Sequence, residues 1–126
     1  ALDEAASTSL CDSIKNQLGD RVKEVRMGER LVDSPAIALT PDDGMNAQVR
    51  QMMKQMNQDV GVTKVILELN PRHEVVKKLA AAYSAKPELA ELVTAQIFDN
   101  ALLSAGLLEE SKDMVKRVYD IIDQAL

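Results

Sequence analysis

Residues 62–79 read VTKVILELNPRHEVVKKL, and this stretch predicts a strand followed directly by a helix. The run 65–67 is continuously apolar, which is typical of a strand that is covered on both faces. Asn70 then supplies an N-cap side chain and Pro71 a suitable first helical residue. The apolar side chains expected on the buried side of this helix are Val75, Val76, Leu79 and Tyr83.

The chain upstream of this stretch predicts a helix and two strands. Apolar residues at every fourth position indicate a first helix over 8–18, which the hydroxyl of Ser7 or Thr8 can cap. Imperfect alternation over 21–31 predicts a strand, and 36–39 predicts a second, shorter strand beside it. Because helices follow the strands in the second half of the chain, the predicted fold class is α+β with a small mixed sheet.

A methionine-rich helix is predicted between these strands and residue 62, and four of the six methionines fall within it. Methionine is flexible and polarisable, so one interpretation is an exposed contact face for many partners. The other interpretation is an ordinary core stripe on an amphipathic helix. The helix carries its apolar side chains at Met45, Val49, Met52, Met53, Met56 and Val60.

The two last predicted helices, 88–105 and 112–125, carry more apolar surface than a two-helix hairpin can bury by itself. A twofold partner would cover it and form a four-helix bundle. The alternative is that both helices pack entirely on the sheet of their own chain. The residues predicted at the dimer interface are Leu92, Ile97, Ala101, Leu102, Leu103, Met114, Val118, Ile121, Ile122 and Ala125.

Composition narrows the classes of function. The formal net charge of -5 disfavours generic nucleic-acid binding, since phosphates repel an acidic protein. No apolar run approaches the roughly 20 residues that a membrane-spanning helix needs, and no signal peptide is visible. The single cysteine, Cys11, cannot form an internal disulfide and is expected to be a small, partly buried apolar residue. The start at Ala1 is expected to reflect excision from a longer protein.

Sequence motifs do not indicate a catalytic centre. The spacing of the one histidine and the one cysteine fits no zinc pattern, and the chain contains no phosphate-binding loop. His73 is interpreted as a structural residue near a helix N-terminus, with a catalytic role as the alternative. No metal and no cofactor are therefore expected in this chain.

Several motifs, in the right order, resemble the ninety-kilodalton heat-shock chaperone family, particularly its bacterial members. They cover nearly the whole chain, and together they are more specific than any one alone. They are VKEVR at 22–26, DSPA at 33–36, ELNPRH at 68–73, VVKKL at 75–79, QIFDNA at 96–101 and AGL at 105–107.

The resemblance implies that residues 1–126 form one C-terminal domain that pairs two protomers through its last two helices. It also implies that the methionine-rich helix contacts unfolded client protein, and that ATP and magnesium bind to an N-terminal domain absent from this sequence. The end of the chain lacks the acidic tail that recruits helical-repeat co-chaperones in cytosolic eukaryotic members. The resemblance therefore places the protein in the bacterial cytoplasm or, alternatively, in the mitochondrial matrix.

Three hypotheses follow from these observations. The first is a homodimeric chaperone domain that also contacts clients. The second is a dimerisation module without a client role, in which the methionine-rich helix is core. The third is a small enzyme that uses His73.

Overall fold

The structure is a computed structural model, and it describes residues 1–29, 33–41, 52, 64–108 and 110–126. Within these residues it contains four α-helices and one three-stranded sheet, which confirms the predicted α+β class. A short 3₁₀ turn, Gly19–Arg21, connects the first helix to the first strand. The elements are α1 (Glu4–Leu18), β1 (Val22–Met27), β2 (Ala36–Leu39), β3 (Val65–Leu69), α2 (Glu74–Ala85), α3 (Pro87–Ser104) and α4 (Lys112–Ala125).

The sheet has the strand order β1-β3-β2, so β3 occupies the centre. β1 runs parallel to β3, and β2 runs antiparallel to it. The prediction that β1 and β2 are neighbours is therefore wrong, although both belong to the same sheet. The apolar composition of β3 explains its position, because Val65, Leu67 and Leu69 are each only 1% exposed. These three residues share one face of the strand; on the other face Glu68 is buried and Ile66 is half-buried, so the predicted coverage of both faces is confirmed only in part.

Helix α1 begins four residues earlier than the sequence pattern predicted. The Asp3 carboxylate accepts a hydrogen bond from the backbone N–H of Ala6 at 2.7 Å and caps the helix there. A carboxylate is well suited to this position, since the N-terminal end of a helix carries partial positive charge. At the other end, Gly19 adopts a positive φ of 60°, which glycine tolerates without steric cost.

Helix α2 begins at Glu74, whereas the sequence predicted a start at Pro71. Its N-cap is His73, whose Nδ1 accepts a hydrogen bond from the backbone N–H of Val75 at 3.1 Å. Asn70 caps a local turn instead, because its Oδ1 accepts from the backbone N–H of Arg72 at 3.0 Å. The structural interpretation of His73 is thus confirmed, and the interpretation of Asn70 as the helix cap is wrong.

The predicted buried side of α2 is confirmed in part. Val76 and Leu79 are buried, and Tyr83 is half-buried. Val75, however, is 39% exposed, since it lies in the first turn and points away from the core. The Tyr83 hydroxyl forms hydrogen bonds with Thr94 Oγ1 on α3 at 2.6 Å and with Gln17 Oε1 on α1 at 2.8 Å. It therefore connects α2 to both of these helices.

The core lies between the sheet and the helices. Helix α1 packs on β1, α3 packs on β2, and α2 lies against both of these helices. Phe98 on α3 is the largest fully buried side chain among the described residues. Helix α4 is the outermost element and packs mainly on α3. This arrangement buries α3 on several sides and leaves one side of α4 uncovered.

The last two helices have almost the predicted bounds. Helix α4 matches the predicted 112–125, and α3 is shifted by one residue from the predicted 88–105. The turn after α3 has Gly106 at a φ of 73°, and the backbone N–H of Leu107 donates to the carbonyl of Leu102 at 2.8 Å. A second hydrogen bond, from the backbone N–H of Gly106 to the carbonyl of Leu103 at 3.1 Å, completes a Schellman motif, which ends α3 abruptly and lets the chain reverse toward α4.

Candidate functional site

Helix α4 presents an apolar surface to solvent along one side. The large apolar side chains on this side are between 37% and 70% exposed. A monomeric protein rarely exposes several apolar side chains next to one another. At about 100° per residue they fall within one arc of the helix. We call this surface the α4 apolar face, and it consists of Val115, Val118, Tyr119 and Ile122.

The opposite side of α4 is attached to α3 by a buried ion pair. Arg117 Nη1 donates to Asp99 Oδ2 at 2.8 Å, and the Asp99 side chain is only 8% exposed. A second cation, Arg21, reaches Asp99 Oδ1 at 3.4 Å, and its guanidinium lies 4.6 Å from the centre of the Phe98 ring. One carboxylate therefore connects α3, α4 and the 3₁₀ turn.

This ion pair fixes the rotation of α4 about its own axis. Because a helix turns about 100° per residue, a side chain two positions from Arg117 points to nearly the opposite side. Val115 and Tyr119 stand at those positions, and both are exposed. With Arg117 directed into α3, the α4 apolar face must point outward.

The predicted interface residues fall into three groups. Leu103, Val118, Ile122 and Ala125 are exposed, and so are available to a partner. Leu92, Leu102, Met114 and Ile121 are half-buried along the α3–α4 hairpin.

The third group, Ile97 and Ala101, is buried within the single chain. They are 9% and 5% exposed and belong to the core of the chain itself. Helix α3 packs against α2, β2 and α4, so its apolar character on nearly every side needs no partner at these two positions.

Several residues of the site were missed by the sequence analysis. Tyr119 was not assigned to the interface, although it lies four residues after Val115 and three before Ile122, which places it on the same side. Asp99 and Arg21 were also missed, because no local pattern connects residues 78 positions apart. Only the fold brings their charges together.

The predicted client-contact residues lie mostly beyond the described part of the chain. Met45, Val49, Met53 and Met56 are outside the described residues. Met52 is described, has helical backbone and is 56% exposed.

The remaining candidate groups carry little chemistry. Burial raises the pKa of the Cys11 thiol, and the charges of Asp12 and Glu24 raise it further, so the thiol stays protonated and weakly nucleophilic near neutral pH. Among the residues that the structure describes, no cluster of His, Cys, Asp or Glu side chains could hold a metal ion. Within the same residues, no helix is long and apolar enough to cross a bilayer.

Fold and site together define an α+β domain whose last helix presents an apolar face. Residues 2–126 match the family model described as Hsp90 protein. The chain is 38% identical over 130 residues to the chaperone protein HtpG of Oleidesulfovibrio alaskensis, with 99% of this chain covered. It is 40% identical over 112 residues to HtpG of Psychrobacter arcticus, with 88% covered.

A third relative comes from an animal. The mitochondrial heat shock protein 75 kDa of Bos taurus is 32% identical over 128 residues, with 99% of this chain covered. The matched regions are 20%, 17% and 18% of the three relatives' lengths, so the chain spans about a fifth of each. The chain belongs to the Hsp90 family of chaperones.

Proposed function

We propose that this chain is the dimerisation domain of an Hsp90-family chaperone, and that two copies pair through the α4 apolar face. The observation that carries the proposal is the exposure of Val115, Val118, Tyr119 and Ile122 on a helix whose opposite side is held by the Asp99–Arg117 ion pair. Burying apolar surface yields about 25 cal/mol per Å². A partner that covers this face therefore stabilises the pair.

A second copy of the chain is the simplest partner. A twofold axis beside α4 brings the same face of both copies together and assembles the two α3–α4 hairpins into a four-helix bundle. The exposed end of α3 at Leu103 extends the available apolar surface toward the hairpin turn. In this proposal the second copy and client proteins are the partners, and nucleic acid and membranes are not.

The proposal assigns no cofactor to this chain. ATP and magnesium would bind to an N-terminal domain of the parent chaperone, so the chain itself does not hydrolyse ATP. The cytoplasm of a bacterium is the proposed location, in keeping with the HtpG relatives. The mitochondrial matrix is the alternative, because one of the relatives is named as a mitochondrial protein.

Molar mass in solution tests the dimer. Light scattering over a dilution series should give about twice the monomer mass of 13.8 kDa. For an apolar interface of the obligate kind, we expect the dimer to persist below about 1 µM. A monomer at every concentration would contradict the proposed function.

We further propose that the methionine-rich helix contacts unfolded client protein. The exposed thioether of Met52 supports this proposal, since flexible and polarisable side chains adapt to many apolar partners. The alternative is a dimerisation module without a client role, in which this helix serves only as core.

A charge at Met52 separates the two functions. Met52→Glu should weaken binding of an unfolded polypeptide about fivefold, measured by fluorescence anisotropy, because a charge replaces an apolar contact. Thermal stability should change by less than about 0.5 kcal/mol, as is usual for an exposed site. Val75→Glu is the control, since Val75 is also an exposed apolar residue but lies on α2. If Met52→Glu unfolds the chain, or binds client as well as the control does, the client role is wrong.

A further inference from the structure

The sulfur atoms of this chain differ strongly in their exposure to solvent. The sequence contains six methionines and one cysteine. Of the methionines that the structure describes, Met52 is 56% exposed, whereas Met27 and Met114 are half-buried. Cys11 is half-buried as well, because it packs against the core of the chain. The most accessible sulfur among the described residues is therefore a thioether and not a thiol.

The surroundings of Cys11 protect its thiol from oxidants. Peroxides react with the thiolate form of cysteine, so a thiol that stays protonated reacts slowly. Burial raises the pKa of the Cys11 thiol, and the charges of Asp12 and Glu24 raise it further. A thioether has no proton to lose, so its reaction with a peroxide depends on exposure alone. A peroxide that meets this chain is thus directed to methionine.

We propose that Met52 is a reversible oxidation site, and that its conversion to methionine sulfoxide by a peroxide weakens client binding. The inference rests on the proposed client contact and adds a means of regulating it. The sulfur donates an electron pair to one oxygen of hydrogen peroxide, and the O–O bond breaks. The other oxygen takes the proton of the first and leaves as water, so sulfur is oxidised by two electrons. A methionine sulfoxide reductase reverses the step with two thiols, which become a disulfide while the sulfoxide oxygen leaves as water.

The sulfoxide changes what the side chain can contact. In the proposed function, Met52 meets apolar client groups through a flexible and polarisable thioether. The sulfoxide oxygen is a hydrogen-bond acceptor, which water satisfies at an exposed position but an apolar client does not. Oxidation therefore costs free energy in the complex and almost none in the free chain, because the side chain is already exposed there. Client affinity falls while the fold is retained.

Met27 and Met114 carry the opposite expectation. Met27 packs against the core of the chain, and Met114 lies half-buried along the α3–α4 hairpin. A sulfoxide at either position places a polar group in packed surroundings, so it lowers the free energy of unfolding. Thermal stability thus distinguishes oxidation at these two residues from oxidation at Met52.

Peptide mapping after exposure to hydrogen peroxide tests the site. The chain used is one in which the other methionines of the methionine-rich helix are leucine, namely Met45→Leu, Met53→Leu and Met56→Leu. Leucine is close to methionine in volume and polarity, so these changes preserve apolar character. Mass spectrometry of the fragments should show Met52 oxidised about fivefold faster than Met27 or Met114, with Cys11 still a thiol. Equal rates at the three methionines, or earlier oxidation of Cys11, would overturn the inference.

Fluorescence anisotropy with an unfolded polypeptide measures the consequence for client binding. The affinity of the same chain should fall about threefold after oxidation, less than for Met52→Glu, because the sulfoxide carries no charge. Methionine sulfoxide reductases for both sulfoxide epimers should restore it. The matched control adds Met52→Leu, which keeps an apolar side chain without an oxidisable sulfur. Peroxide should leave the client affinity of this control unchanged.

Two outcomes of the binding experiment contradict the inference. One is unchanged client affinity when mapping shows that Met52 is oxidised, and the other is an equal loss of affinity in the Met52→Leu control. Failure of the client contact itself is distinguishable, because it appears before any peroxide is added. In that case Met52→Glu binds client as well as the Val75→Glu control does.

Discussion

Replacing Val118 and Ile122 together with aspartate should convert the dimer into a folded monomer. Both side chains are substantially exposed in the single chain, 37% and 44%, so the charges stay in water when the chain is alone. In the dimer the twofold axis would bury four new carboxylates, each at a cost of several kcal/mol. We therefore expect Val118→Asp with Ile122→Asp to raise the dissociation constant at least about 1000-fold.

A matched control makes this experiment specific. Val75 is 39% exposed, nearly the same as Val118, but it lies on α2 away from the α4 apolar face. Val75→Asp should leave both the molar mass and the thermal unfolding curve unchanged. The interface assignment fails if the α4 double variant remains dimeric, or if Val75→Asp separates the protomers equally well.

Ile97 shows why burial must guide the choice of variants. Sequence pattern alone assigned Ile97 to the dimer interface, yet its side chain is 9% exposed inside the chain. A charge there would unfold the monomer, and the dimer would disappear for a reason unrelated to the interface. Val118 and Ile122 can be tested because the folded chain does not depend on them.

Elements with a strong local pattern were predicted well from the sequence. Strand β2 and helix α4 have the predicted bounds, because one follows a proline break and the other has a clear helical repeat. Helix starts were predicted less well. Asp3 and His73 act as caps, while Ser7 and Asn70, which are also competent capping residues, stand nearby. Which of several competent side chains caps a helix depends on the path of the preceding chain.

Features that depend on distant residues could not be predicted. The position of β3 between β1 and β2 follows from pairing across long stretches of chain, which no local repeat encodes. Helix α3 gives the clearest example in the candidate site. Apolar residues on most sides of a helix predict burial, but they do not say whether its own chain or a partner provides the cover. The structure assigns Ile97 to its own chain and leaves Val118 exposed.

Removal of the Asp99 carboxylate should strongly destabilise the folded chain. Asp99→Ala leaves Arg117, whose side chain is 18% exposed, without its acceptor at 2.8 Å. Breaking a buried ion pair costs about 3 kcal/mol, because the remaining charge is desolvated and unpaired. Arg21 contributes less to this cost, since its side chain is 53% exposed and keeps contact with water. The free energy of unfolding in urea, at a fixed chain concentration, measures the loss.

Two further variants identify the cause of that loss. Glu91→Ala removes an exposed acid from the same helix and should change the free energy of unfolding by less than about 0.5 kcal/mol. Asp99→Leu combined with Arg117→Met replaces the ion pair with apolar side chains of similar size, which should restore most of the stability. An Asp99→Ala variant as stable as the Glu91→Ala control would show that the ion pair does not hold α4 in place.

The combined Asp99→Leu and Arg117→Met variant also tests how rotation of α4 governs the dimer. An apolar contact is not directional, whereas the ion pair directs Arg117 toward α3 and thereby turns Val115 and Tyr119 outward. We expect this variant to regain stability but to dimerise about tenfold more weakly than the unmodified chain, an effect of about 1.4 kcal/mol. Light scattering measures this difference. If the variant regains both stability and full dimerisation, apolar packing of α4 on α3 is sufficient to orient its outer face.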